Sequence, residues 1–211
     1  MLARLFLLST FLTAGPRAGV IDRIAVTLDN QIITESEIAL EIRLTAFLNG
    51  DLPEFSPEAR KRAAERLIEQ KLIRREIQIG HYQGPNKEDV EIMLKQIQTQ
   101  RFQGPKEYRA ALEKYDLTEE NLKAHLSWQL MLLRFIDARF RPAVQVTDDE
   151  IRAYYEKELG KADPGGKPKF EEVRDQIRET LINQRVDQQL DEWLAAARRR
   201  TRIQFHQEAF E

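Results

Sequence analysis

The sequence predicts a mainly α-helical fold: a helical domain with a small antiparallel β pairing of an N-terminal and a C-terminal strand, and a long C-terminal helix. Three observations predict it. Beyond residue 19, glycine and proline occur only at Gly50, Pro53, Pro57, Gly80, Gly84, Pro85, Gly104, Pro105, Pro142 and within residues 160–169. The segments between are free of both helix breakers, and most carry apolar residues at helical spacing. Several open on a capping signature, which marks a helix start by local chemistry. Strand-like alternation is confined to the two ends of the chain after residue 19.

The elements follow in order. Met1–Arg4 carries one positive charge, Leu5–Ala14 is apolar, and Gly15–Gly19 is mostly small. This is the form of a secretory signal peptide over residues 1–19; a membrane span needs about 20 apolar residues. Its removal takes away Arg4 and Arg17 and no acid, moving the net charge from -2 to -2 - 2 = -4. Ile21–Leu28 alternates as a strand, and Asp29-Asn30-Gln31 supplies a turn before Ile32-Ile33. Thr34-Glu35-Ser36-Glu37 is a capping box opening a helix over 35–48. Ser56-Pro57 is an N-cap followed by proline at N1, opening 57–79, with Gly80 as its C-cap. Asn86 caps 87–102, Pro105 begins 105–115, and Thr118 caps 118–140. Within the last of these, Leu126–Ile136 is apolar around most of its circumference, which marks a helix packed on several sides. Thr147-Asp148-Asp149-Glu150 is a second capping box, opening 147–159.

Residues 160–169, GKADPGGKPK, hold three glycines and two prolines and no apolar side chain larger than alanine, the composition of a linker. A helix over 170–199 follows, some 45 Å long at about 1.5 Å per residue. Phe170, Val173, Ile177, Leu181, Val186, Leu190, Trp193 and Ala197 form one apolar stripe along it. Thr201–His206 alternates again, with Ile203 and Phe205 on one face. Isolated short strands are unstable, so the two terminal strands are expected to pair and bring the chain ends together.

Several function classes find no support in these residues. The chain has no cysteine, which excludes disulfides, a thiol nucleophile and a thiolate metal site. His81, His125 and His206 have no metal-ligand spacing, so no metal is assigned. Gly80–Gly84 lacks the lysine of a phosphate loop, and no serine sits in a nucleophile elbow. The acid pairs Glu119-Glu120 and Asp148-Asp149 open helices, where the dipole favours them. Arg198-Arg199-Arg200 closes one, for the same reason with opposite sign. With an acidic mature chain and no nucleic-acid motif, no nucleic acid is expected as partner. Neither a catalytic residue nor a cofactor is assigned.

The order of the segments carries further information. Val20–Leu44 (VIDRIAVTLDNQIITESEIALEIRL), Glu65–Ile73 (ERLIEQKLI), Leu117–Arg141, VTDDEIRAYYEKEL, and Phe170–Leu181 (FEEVRDQIRETL) through the final strand resemble the SurA family of periplasmic chaperones. The resemblance implies a helical chaperone domain made of residues 20–159 and completed by 170–206. It also implies that one or two parvulin-type prolyl isomerase domains lie between the helices matching 147–159 and 170–199. Here residues 160–169 occupy that place, and no parvulin motif is present.

The resulting expectation is an ATP-independent periplasmic chaperone, not an enzyme. It would bind unfolded outer-membrane or secreted proteins, without stable membrane insertion. Phe47, Phe55, Phe102 and Tyr108, aromatics near helix ends and loops, are the candidate client contacts; ordinary core packing is their competing role. Two alternatives remain open. One is a prolyl isomerase of the parvulin/SurA type, which residues 160–169 cannot house. The other is a helical adaptor that assembles through an exposed stripe on the last helix.

Overall fold

A computed structural model of the chain describes residues 22–159 and 168–211. The predicted signal segment 1–19 and residues 160–167 of the predicted linker lie outside them. The elements are β1 (Ile24–Leu28), β2 (Gln31–Thr34), α1 (Glu35–Asn49), α2 (Pro57–Ile79), α3 (Lys87–Arg101) and α4 (Pro105–Lys114). They continue with α5 (Glu119–Arg139), α6 (Asp148–Tyr154), a π-helical turn (Tyr155–Leu159), α7 (Phe170–Arg199) and β3 (Ile203–Phe205).

The terminal strands pair as the alternation predicts. β3 runs antiparallel to β1, with Val26 opposite Phe205 and Leu28 opposite Ile203. The sheet has a third member, because Gln31–Thr34 folds back on β1 as β2 and makes the order β2-β1-β3. The turn between them places Asp29 at φ 49, a left-handed conformation that aspartate tolerates better than most residues. Asp29 also ties down the far end of the chain. Its carboxylate accepts from the Arg202 amide at 3.0 Å and from Arg75 at 3.1 Å, and its own amide donates to the Arg202 carbonyl.

The helix starts match the capping chemistry. Thr34 and Glu37 form the reciprocal box at α1, and Thr147 and Glu150 form the one at α6. Ser56, Asn86 and Thr118 each accept from the amide three residues on. Gly80 closes α2 but keeps right-handed geometry (φ -83), and the left-handed residue is His81 (φ 52). Glycine is needed at position 80 for space: a Cβ there would lie 2.4 Å from the Tyr82 ring.

The core is continuous through α5. Its first half contributes Leu122 and Leu126 to a cluster with α1, α3 and α4. Its second half contributes Trp128 and Phe135 to a cluster with α2 and α7. Phe135 is fully buried and meets the rings of Tyr82, Phe140 and Trp193 at 5.2, 5.8 and 5.9 Å.

The stripe on α7 is covered within the chain. Val186, Leu190 and Trp193 pack on α5 and α2, while Phe170, Val173, Ile177 and Leu181 pack with Ile151 and Tyr155. Of the stripe, Ile177 and Val186 are buried and the other six residues are half-buried, so most of the face that the adaptor alternative needs is spent on contacts within the chain. α6 and α7 meet where the predicted linker begins and ends. Tyr155 donates to the Pro168 carbonyl at 2.7 Å, and its ring stands 5.3 Å from that of Phe170. Asp148 accepts from Arg174 and Arg178, and Glu150 pairs with Arg185.

Two measurements test this packing. Phe135→Ala should cost about 3–5 kcal/mol in urea unfolding, the range for emptying a buried aromatic site; a loss below about 1 kcal/mol would mean the ring cluster is not packed. The hydrogen bond from Arg185, with those of the Thr147 amide and hydroxyl, holds the Glu150 carboxyl down to about 2 from an ordinary 4.5. A carboxyl lowered by folding stabilises above its unfolded value, and that contribution fades as pH falls from about 4.5 towards 2. Glu150→Gln should remove this part of the acid sensitivity, and an ordinary Glu150 titration by NMR would contradict it.

Candidate functional site

The α3–α4 corner is built by a break in helix-forming sequence. α3 ends at Arg101, Phe102 is extended, and Gly104-Pro105 restarts the chain as α4 with proline at its first position. No atom lies within 4 Å of where a residue-104 Cβ would stand, so the corner is open to solvent. A cleft of about 620 Å³ lies between this corner and the start of α5. Gln98, Thr99, Phe102, Pro105, Tyr108 and Glu119 are among its walls. Its size falls within the range of sites for small molecules and peptide side chains.

Phe102 and Tyr108 on its wall belong to an aromatic cluster that continues into the core. Phe102 stacks on Phe47 at 6.0 Å and meets Tyr108 edge-on at 5.6 Å; Phe47 in turn meets Tyr115 at 5.5 Å. Arg101 clamps the cluster to α1. It donates to the carbonyls of Phe47 and Leu48, both at 2.8 Å, and lies over the Phe47 and Phe102 rings. α1 has no basic residue in its last turn, so the cation that its free carbonyls and dipole favour comes from α3. Tyr115 donates to the Asp51 carbonyl at 2.7 Å and fixes the following loop.

Tyr108 is 4% exposed, and its hydroxyl is buried without a hydrogen-bond partner. Gln98 and Glu119, both on the cleft wall, are the polar side chains close enough to influence it. Burial pushes its phenol above the usual range.

The four residues singled out from the sequence fall into three environments. Phe47 (1% exposed) and Tyr108 are core residues, buried in the cluster where α1, α3, α4 and α5 meet. Phe102 is half-buried, at the cleft lip. Phe55 is 39% exposed and lies elsewhere, beside Arg43 in a smaller hollow that also includes Ile38 and Arg60. Phe47, Phe102 and Tyr108 are thus brought together and Phe55 is not. Sequence reasoning missed Gln98, Thr99, Pro105 and Glu119. Pro105 and Glu119 carried a signal only as helix starts, and nothing in Gln98 or Thr99 marks a wall.

A second cavity of about 290 Å³ lies between α1, α2 and α5. Glu41 is the one buried charged side chain among the described residues, satisfied by Arg66 at 3.0 Å and Gln70 at 3.4 Å. Arg74 covers the Trp128 ring at 3.9 Å. Burial lowers the His125 pKa, with Glu41 opposing and Arg74 adding. Among the described residues no group of three or more histidines and acids is arranged to hold a metal ion, and no helix is long and apolar enough to cross a membrane.

The chain is 27% identical over 159 residues to the chaperone SurA of Pseudomonas fluorescens. The match covers 72% of this chain and 36% of that protein, so the similarity reaches about a third of the relative's length. No family model matches the chain. The similarity supports a SurA-like relationship.

Tyr108→Phe removes a buried polar atom that has no partner, so it should leave stability unchanged or raise it slightly. A loss above about 1 kcal/mol in urea unfolding would show that the hydroxyl is hydrogen-bonded in solution.

Proposed function

We propose that this chain is an ATP-independent chaperone that binds unfolded outer-membrane or secreted proteins in the periplasm, with residues 1–19 as its export signal. The observation that carries the reading is the similarity to a chaperone over most of this chain. The open cleft at the α3–α4 corner supports it, because a protein that holds unfolded chains needs apolar surface left accessible in its own folded state. Under this reading residues 20–159 and 170–206 form the binding module, and residues 160–169 stand where relatives carry isomerase domains. Prolyl isomerase activity is not part of the proposal.

The physics is weak, reversible capture. A mobile client loses entropy when held, so affinity stays modest and release needs no nucleotide. Light scattering of an unfolded outer-membrane protein diluted from urea tests the reading. An excess of this chain should delay aggregation, and an unchanged aggregation curve would sink it. In a proline-limited refolding reaction, catalytic amounts should give no acceleration; clear acceleration would favour the isomerase alternative instead.

A further inference from the structure

The cavity between α1, α2 and α5 is lined by acids that are already engaged and by donors that are not. Two carboxylates line it. Glu37 accepts from Lys71 at 3.0 Å and from the Thr34 amide at 2.9 Å, and Glu41 accepts from Arg66 and Gln70. Arg74, on the same cavity, lies over the Trp128 ring and makes no hydrogen bond or ion pair among the described residues. Desolvation alone acts on its pKa, lowering it, with no acid set against that effect. Asn121 commits its side-chain carbonyl to the Thr118 cap, and its NH2 group has no acceptor among the described residues. His125 has its pKa lowered by burial, so it is neutral near pH 7 and keeps one ring N–H, which has no acceptor among them either. A partly desolvated cation is costly unless it is paired, and three donors converging without an acceptor define the chemistry of what would pair it.

We infer that this cavity binds a small organic monocarboxylate with an apolar body, its carboxylate held by Arg74, Asn121 and His125. The indole occupies one face of the Arg74 guanidinium and leaves its N–H edge, the part that grips a carboxylate through two parallel hydrogen bonds. Lys71 is matched by Glu37 and Arg66 by Glu41, so Arg74 is the one cation here without a counter-charge. One unmatched positive charge suits a monoanion better than a phosphate dianion. Leu40, Leu67 and Trp128 supply the apolar part of the lining, and both leucines are half-buried. At about 290 Å³ the cavity lies at the small end of ligand sites, which limits the body to a short chain or a single ring. The inference goes beyond the chaperone reading and does not depend on it.

The test uses phenylbutyrate, its neutral amide and inorganic phosphate. Binding to the full mature chain is followed by calorimetry and by amide NMR shifts. Wild type should bind phenylbutyrate about tenfold more tightly than the amide, the difference that one charge-assisted pair makes, with shifts on residues 37–44, 67–74 and 121–128. Arg74→Gln should weaken phenylbutyrate about tenfold and leave the amide unchanged. Ala124→Trp, which fills the cavity from an exposed helix position, should abolish binding of both. No binding of phenylbutyrate, equal affinity for the amide, shifts centred elsewhere, or a folded Arg74→Gln or Ala124→Trp chain that binds like wild type would each overturn the site. Inorganic phosphate bound more tightly than phenylbutyrate would overturn it too, because the apolar lining would then contribute nothing.

Discussion

The pairing of β1 with both β2 and β3 is the constraint on which the rest of the molecule depends. β1 is the central strand, so its backbone is satisfied only when the end of the chain returns to it. That return must cross the molecule, and α7, thirty residues long, is the element that makes the crossing. Its stripe packs in passing on α6 at one end and on α5 and α2 in the middle. Side-chain contacts reinforce the closure at the sheet. Thr27 and His206 lie within hydrogen-bond distance at 2.9 Å, Arg198 pairs with Glu65 on α2, and Phe210 packs on Phe205. A short sheet of this kind would be marginal alone, and it persists because α1 and α2 cover one face.

With the ends fixed in this way, α5 becomes the wall shared by two halves of the core. Its early turns face the α3–α4 corner and its later turns face α7. This division explains why the cleft can exist. α3 and α4 pack on the early part of α5 and on the end of α1, but α7 does not reach them, so nothing of the described chain closes the outer side of the corner. Arg101 keeps the arrangement rigid by bonding the last carbonyls of α1 while covering the aromatic cluster. The open corner is thus a consequence of where α7 runs, and α7 runs where β1 requires.

How much of this was legible in the sequence depended on range. Helix starts were legible because a cap is a local bond between a side chain and an amide three residues away, as at Thr34, Asn86 and Thr147. Pairing of the end strands was legible because alternation was confined to the ends. Ile32-Ile33 was too short to declare itself a strand, and it became one through its turn with β1. Core packing was one of two readings for Phe47 and Tyr108, and an aromatic near a helix end carries no sign of what packs on it to choose between them. Only the meeting of α1, α3, α4 and α5 in one cluster decides that. The fate of the α7 stripe was hidden for the same reason: periodicity shows a face exists and leaves open what meets it.

The contact between α6 and α7 bears on what holds the two ends of residues 160–169 close together. Ile151 and Tyr155 pack directly on Phe170, Val173 and Ile177, and Tyr155 bonds the Pro168 carbonyl. The two helices are held by these groups, so the framework sets only one condition on what joins them: that its ends be close. Closing a loop costs entropy that grows slowly, about 0.6 kcal/mol for each doubling of a flexible connection. A folded domain with adjacent termini would meet the same condition as a few glycines and prolines do. The contact between α6 and α7 therefore stands on its own groups, with Ile151, Tyr155 and Ile177 at its centre.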